Sequence, residues 1–160
     1  MATYSACLMS FAQGLNVIER ADKEHKWNIN YAEVLQIWRA GCIIQADFIS
    51  DELLRPILEA APSNCTSDIN LLYQPNIMKE LKSAFPHLKT VVAKAIESDQ
   101  VVPALSASLE YIKYQTNTDL PASFYEAQLD YFGAHMFDKK GEPDTGAPTE
   151  GKHHYEWKPA

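Results

Sequence analysis

The sequence has few glycines, and their spacing excludes one common cofactor site. Its six glycines stand at positions 14, 41, 133, 141, 146 and 151. A dinucleotide-binding turn needs the spacing G-x-G-x-x-G directly after a strand. Neither the spacing nor a preceding strand pattern occurs. We therefore expect this chain alone to bind no dinucleotide cofactor.

Cysteine is also scarce, and no metal-binding pattern replaces it. The three cysteines, an odd number without C-x-x-C spacing, are Cys7, Cys42 and Cys65. This usage predicts reduced thiols rather than a disulfide frame or a zinc site. His153, His154 and Glu156 carry ligand atoms, but adjacent ligands in a breaker-rich segment lack the spacing of a preformed site. We predict no bound metal.

Positive charge is in deficit, with 14 Lys and Arg against 21 Asp and Glu and a formal net charge of −7. Such a balance argues against binding to nucleic acid or to an anionic membrane. Charges interrupt every apolar run before it reaches the length of a membrane span, and the N-terminus has no basic region typical of a signal peptide. We expect a cytoplasmic protein without membrane association.

Alternation typical of strands is missing, and helical spacing is present almost throughout, so an all-α, multi-helix domain is predicted. Leu8, Phe11 and Leu15 mark the buried face of a first helix over about residues 5–26. Gly14 inside it predicts that the backbone of another helix packs closely at this position. Asn30 with Glu33 resembles a capping box that begins a second helix.

Further helices are predicted from apolar spacing and from breakers. Residues 42–49 form an apolar run interpreted as a buried helix, and residues 50 and 51 are expected to cap a helix over 52–60, before a loop at 61–64. Pro86 is expected to end a helix that starts near residue 77, with another helix from residue 88 to about 98. Pro103 is placed in the first turn of the next helix.

The stretch LPASFYEAQLDYFGAH, from Leu120 to His135, predicts a helix that ends at Gly133. The spacing of Phe124 and Tyr131 suggests that most of its aromatic mass faces a core. From residue 138 onward, glycine and proline exclude a helix, so we divide the chain into a helical domain, 1–137, and an extended tail, 138–160. The aromatic rings at 155 and 157 favour docking of that tail.

This stretch resembles the LPANLIQAQRDYFGAH stretch in the C-terminal helical domain of decarboxylating 6-phosphogluconate dehydrogenases. The resemblance continues in SFAQGL (10–15), WNINYAEVLQIWRAGCII (27–44), NLL (70–72) and HHYEW (153–157). It implies an all-helical domain whose tail docks on the partner subunit of a homodimer. It also implies a family reaction in which NADP oxidises 6-phosphogluconate at C3 and loss of carbon dioxide gives ribulose 5-phosphate, in the pentose phosphate pathway of gluconate utilisation.

The resemblance carries one substrate contact onto this chain. His135 matches the family histidine that contacts the substrate phosphate in trans, in the neighbouring subunit's active site, and a protonated imidazole suits that role. Leu129 stands where the family has a phosphate-binding arginine, and Gln45 stands where many members have another arginine. The loss at 129 predicts phosphate affinity weaker by roughly one to two decades unless Lys139, Lys140 or Lys152 substitutes.

Two functions remain open at this point. By resemblance, the chain is the dimerisation and phosphate-contacting portion of an oxidoreductase whose NADP-binding domain and catalytic lysine and glutamate lie upstream of the matched segment, so we assign no catalytic residue here. Alternatively, it is a non-catalytic helical module derived from that family, which dimerises or binds another partner. Leu129 and the absent cofactor fingerprint motivate the second reading.

Overall fold

A computed structural model describes residues 1–60, 71–139, 141 and 151–157. Its helical elements, in chain order, are α1 (Ala2–His25), α2 (Tyr31–Trp38), a π-helix (Phe48–Leu54), α3 (Arg55–Ala60), a 3₁₀ turn (Leu71–Tyr73), α4 (Pro75–Glu97), α5 (Pro103–Thr116) and α6 (Ala122–Gly133). In these ranges the only β pairing is an isolated antiparallel bridge between Phe137 and His153. The predicted all-α class is confirmed.

The chain forms two compact units, Met1–Lys113 and Tyr114–Ala160. These units are not the domains predicted from composition, whose boundary after residue 137 stays a prediction. No helix in the described ranges is long and apolar enough to cross a membrane.

In the first unit, α1 packs along α4 around one hydrophobic core. Leu8 and Leu15 of α1 are buried there with Ile77 and Leu88 of α4, which confirms the predicted apolar face of the first helix. The Trp38 ring packs at Gly14, where an added Cβ would lie 3.6 Å from Trp38 Cη2. This neighbour is a side chain at an ordinary van der Waals distance, so the predicted close approach of another helix backbone at Gly14 is wrong.

The predicted N-cap at the start of α2 is confirmed in Asn30, although Glu33 binds the Asn30 side chain and not its backbone N–H. Asn30 Oδ1 accepts hydrogen bonds from the backbone N–H groups of Ala32 and Glu33, at 3.2 and 3.4 Å. Asn30 Nδ2 donates to Glu33 Oε1 at 2.9 Å, which holds the two side chains together. These bonds satisfy N–H groups that have no partner inside the helix.

The helix predicted over residues 42–49 is wrong for residues 42–46, whereas Phe48 and Ile49 begin the π-helix and Ile49 is buried. Gly41 adopts a left-handed φ of 82° just after α2, and the following residues are irregular, with Ile43 fully exposed. Apolar composition without a clear period cannot distinguish a buried helix from an exposed apolar segment. The predicted cap at residues 50 and 51 is also wrong, since both residues lie inside the π-helix that leads into α3.

The stop predicted at Pro86 is wrong as well, because α4 continues through it from Pro75 to Glu97. An internal proline costs about 3 kcal/mol. The buried face of α4 extends on both sides of the proline, from Leu81 to Leu88, so packing offsets that cost. Pro103 begins α5 as predicted. The loop predicted at 61–64 and Cys65 lie outside the described residues.

In the second unit, α6 begins at Ala122 and ends at Gly133, close to the predicted bounds. The predicted burial of its aromatic mass is wrong, because Phe124 and Tyr131 are exposed. A helical period marks an apolar face but does not say whether the same chain covers it. Residues 151–157 dock beside the C-terminal end of α6 in the same chain. Docking of the tail on a partner subunit stays a prediction.

Candidate functional site

Asp130, in the last turn of α6, accepts hydrogen bonds from two later parts of the chain. Its carboxylate Oδ1 accepts hydrogen bonds from Met136 N and from His154 Nδ1, each at 2.8 Å. Oδ2 accepts from Tyr155 N at 3.1 Å and from Trp157 Nε1 at 2.9 Å. The side chain is fully buried. One buried carboxylate thus holds the turn after α6 and the C-terminal segment together.

The hydrogen bonds determine the charge of this site. Burial acts to raise the pKa of Asp130, but the bonds from His154, Trp157 and two backbone N–H groups outweigh it and hold the pKa below its ordinary value of 3.8. The pKa of His154 is raised above 6.5, mainly because its ring donates to the Asp130 carboxylate. Its other ring nitrogen lies 3.4 Å from Glu156 Oε1. Both shifts favour an aspartate–histidinium pair.

The docked segment is also held by backbone pairing and by aromatic contacts. Phe137 and His153 exchange two backbone hydrogen bonds, at 2.7 and 2.9 Å. The Trp157 ring meets the rings of Tyr131, Phe137 and Tyr155 at centroid distances between 5.1 and 6.3 Å. These distances lie in the range in which pairs of aromatic rings attract each other. Tyr155 and Trp157 nevertheless remain exposed, so these contacts do not provide the burial expected of a docked tail, and that docking stays a prediction.

His135 lies in the turn directly after α6, exposed to solvent. Both of its neighbours adopt left-handed backbone conformations, with φ values of 54° at Ala134 and 67° at Met136. Ala134 N donates to the Asp130 main-chain carbonyl at 3.0 Å, while Met136 N donates to its side chain. The His135 ring lies over Gly133, where an added Cβ would be 3.2 Å from Nε2. The turn therefore presents the imidazole from a fixed backbone.

Leu129 lies on the exposed side of α6 together with Tyr125 and Phe132, at the spacing i, i+4, i+7. Their exposed fractions are 54%, 54% and 73% for Tyr125, Leu129 and Phe132 respectively. We call these three residues the apolar stripe. A contiguous exposed patch of this kind is typical of an interaction surface.

Three lysines were predicted as substitute cations near His135. Lys139 and Lys152 are exposed, and Lys152 N donates to Asp138 Oδ1 at 3.2 Å. No hydrogen bond or ion pair between described residues joins Lys139 to His135. Lys140 lies outside the described residues. A substitute for the family arginine therefore stays a prediction.

The tail residues considered above as metal ligands, His153, His154 and Glu156, make contacts within the protein. His154 binds Asp130 and Glu156, and His153 takes part in the bridge to Phe137. In the described part of the chain, no group of three His, Cys, Asp or Glu side chains is arranged to hold a metal ion. The same ranges contain no β-strand.

Sequence reasoning missed the role of Asp130. The signal was present, because a carboxylate in the last turn of a helix is unfavourable with respect to the helix dipole and needs a local reason. The hydrogen-bond donors that justify it, His154 and Trp157, are 24 and 27 residues away in sequence. No local pattern joins residues at that separation.

The fold and the site define a class: an all-helical domain whose last helix exposes an apolar stripe and binds its own C-terminal segment through one buried aspartate. The chain belongs to the family of 6-phosphogluconate dehydrogenase C-terminal domains, whose family model, described as "6-phosphogluconate dehydrogenase, C-terminal domain", matches residues 1–157. The family predicted from the sequence is confirmed.

Individual proteins of this family are similar to the chain in sequence. The chain is 45% identical over 161 residues to a decarboxylating 6-phosphogluconate dehydrogenase of Emericella nidulans, which covers 99% of this chain and 32% of that protein. It is 35% identical to the Treponema pallidum enzyme, with 98% of this chain and 30% of that protein covered. The chain thus spans about a third of the length of the curated relatives it matches.

A solved structure is similar as well. It is a chain of Plasmodium falciparum 6-phosphogluconate dehydrogenase, an enzyme studied in its apo form, with its cofactor NADP+ and with its substrate 6-phosphogluconate. The TM-score is 0.75 at 32% sequence identity, and the match covers 98% of this chain and 31% of that one. The similarity therefore extends from the sequence to the three-dimensional fold.

Proposed function

We propose that this chain is the dimerisation and substrate-phosphate-contacting portion of an NADP-dependent, decarboxylating 6-phosphogluconate dehydrogenase. The observation that carries the proposal is His135, an exposed imidazole at the end of α6 between two residues that Asp130 holds by hydrogen bonds. Membership of the family supports the substrate class, and the matched relatives are enzymes of that activity.

In this proposal, His135 binds the phosphate of 6-phosphogluconate in the active site of the partner subunit. A protonated imidazole pairs with a phosphate oxygen and also donates a hydrogen bond to it, and charge-assisted bonds are about twice as strong as neutral ones. NADP and the catalytic lysine and glutamate belong to a domain outside the matched segment. This chain therefore contributes binding and orientation rather than a proton-transfer group.

The apolar stripe supports the homodimer in this proposal. Apolar side chains of this size stabilise an interface when a second surface removes them from water, at about 25 cal/mol per Å². A second copy of the chain is the occupant that the family implies. We place the dimer in the cytoplasm, in keeping with three cysteines that show no disulfide pattern.

Calorimetric titration of 6-phosphogluconate into the purified chain tests the phosphate contact. The titration is made alone and after mixing with the cofactor-binding and catalytic domains of a family member, because the proposed contact is made in trans. We expect saturable binding in the mixture, lost in His135→Ala and kept in His87→Ala, a matched change at an exposed histidine of α4. Equal binding by wild type and His135→Ala would contradict the assignment of His135.

Sedimentation velocity tests the dimer separately. Phe132→Glu places a charge in the apolar stripe and is expected to shift the chain to the monomer. Val101→Glu makes the same change at an exposed residue outside the stripe and is expected to leave the dimer intact. A monomeric wild type, or a dimer unaffected by Phe132→Glu, would contradict this interface.

Leu129 favours a second function, a non-catalytic helical module that dimerises or binds another protein. Leucine has neither charge nor hydrogen-bond donor, and its half-exposed side chain enlarges the apolar stripe where the family carries an arginine. Robust 6-phosphogluconate oxidation by the mixture described above would refute this alternative. Absence of any sugar-phosphate binding, together with a stable dimer, would favour it.

A further inference from the structure

Two parts of the site that are distant in sequence bind Asp130: Met136 N and the docked segment share its carboxylate, whereas Ala134 N binds its main-chain carbonyl. The turn that carries His135 is bound to Asp130 through Ala134 N and Met136 N, and the docked segment is bound to the same residue through His154, Tyr155 and Trp157. Each carboxylate oxygen receives two donors. Loss of one of these hydrogen bonds therefore changes the position of the carboxylate and its charge distribution, which affects the remaining bonds.

The backbone of the turn depends on this residue. Left-handed conformations at residues other than glycine cost of order 1–3 kcal/mol and persist when the surroundings determine them. Ala134 and Met136 both pay this cost, and the N–H groups of both donate to Asp130. Without the Met136 bond, the turn relaxes toward ordinary backbone conformations, and the imidazole of His135 changes its direction.

We propose that Asp130 is a positioning residue that couples docking of residues 151–157 to the orientation of His135. The docked segment donates hydrogen bonds to both oxygens of the carboxylate and thereby fixes the Asp130 rotamer. In that rotamer the carboxylate accepts the hydrogen bond from Met136 N. Docking of Trp157 thereby fixes the orientation of His135 indirectly, through the Asp130 carboxylate. The effect on a ligand rests on the phosphate role proposed for His135, whereas the effect on the turn does not.

The sharpest test changes the tail and measures the turn. Trp157→Phe keeps an aromatic ring but removes the Nε1–H that binds Oδ2. We expect amide hydrogen exchange at Met136 to become about tenfold faster, as expected for loss of a hydrogen bond to a charged acceptor, and the His135 ring signals in NMR to broaden. Tyr155→Phe is the matched control, because Tyr155 binds Asp130 through its backbone N–H alone.

A double-mutant cycle distinguishes coupling from general loosening. If the two parts communicate through the carboxylate, Trp157→Phe has little further effect on Met136 exchange in an Asp130→Asn background. Amides of α1 and α4 serve as the internal reference for global stability. Unchanged Met136 exchange in Trp157→Phe, or full additivity with Asp130→Asn, would overturn the proposal.

Binding of 6-phosphogluconate gives the second readout, measured in the mixture with the catalytic domains. We expect Trp157→Phe to weaken binding about three- to tenfold in wild type and to have no further effect in His135→Ala. If wild type does not bind the sugar phosphate, the proposed function fails, and Met136 exchange still decides the coupling. If wild type binds but Trp157→Phe has its normal affinity and normal Met136 exchange, the coupling fails alone.

Discussion

The backbone of Phe137 lies directly against Gly151. A Cβ added to Gly151 would stand 2.3 Å from Phe137 N and 2.5 Å from its Cα, closer than real side chains approach a backbone. The contact lies next to the bridge between Phe137 and His153. Only glycine permits this approach, so Gly151 allows the backbone at residue 151 to lie against Phe137.

Gly151→Ala is therefore expected to destabilise docking of residues 151–157 by about 1–3 kcal/mol, the usual cost of overpacking. Amide exchange at Phe137 and His153, whose N–H groups form the bridge, measures the effect. Gly14→Ala is the matched control, because its Cβ would meet Trp38 at an ordinary distance inside α1. There alanine is expected to stabilise the fold by about 0.5–1 kcal/mol. Unchanged exchange in Gly151→Ala would contradict the observed approach.

Docking is expected to depend on pH through two groups. The pKa of Asp130 is lowered in the fold, so its contribution is present above its ordinary value of 3.8 and is lost as the pH falls through the lowered pKa. The pKa of His154 is raised, so its contribution is present below its ordinary value of 6.5 and is lost as the pH rises through the raised pKa. Docking should be strongest between those two ordinary values.

The Trp157 indole N–H signal in NMR measures this dependence directly, because that proton points to Asp130. Its exchange with solvent, corrected for the intrinsic pH effect on exchange, should accelerate as the pH rises above about 6.5. In His154→Gln this alkaline change should disappear, since no titrating group remains on Oδ1. A corrected rate that stays constant up to about pH 9 in wild type would contradict the role of His154.

The N-cap at α2 predicts a local stability effect. Asn30→Ala removes the acceptor for two backbone N–H groups and should cost about 1 kcal/mol, which lowers Tm by roughly 2–4 °C in a chain of this size. Asn30→Asp keeps the acceptor and should leave Tm nearly unchanged. Thermal unfolding followed by circular dichroism compares the three proteins. Equal Tm values for wild type and Asn30→Ala would show that the cap contributes nothing.

Local sequence patterns predicted those features that depend on neighbouring residues. The buried face of α1, the N-cap at Asn30 and the end of α6 at Gly133 all rest on spacings of a few residues, and each is confirmed. Pro86 shows the limit of such patterns, because packing along the whole of α4 outweighs a local breaker. The run after Gly41 shows another limit, since apolar composition alone does not establish burial.

The candidate site was only half predictable, for the same reason. His135 and Leu129 were found because they lie in one continuous motif. The network around Asp130 joins α6 to donors more than twenty residues away, and the approach of Gly151 to Phe137 also joins residues that no local pattern links. Contacts of that range depend on the path of the chain, which a single sequence without its fold does not define.

The most direct test of the central claim, that the exposed end of α6 binds a sugar phosphate, is titration of 6-phosphogluconate into Leu129→Arg in the mixture with the catalytic domains. Leu129 is half exposed, so an arginine fits there, and a charged donor should tighten binding about 10- to 100-fold over wild type. Leu129→Met serves as the control for side-chain size. The gain should fall sharply in Leu129→Arg with His135→Ala. Leu129→Arg that binds no better than Leu129→Met would contradict a phosphate site at this end of the helix.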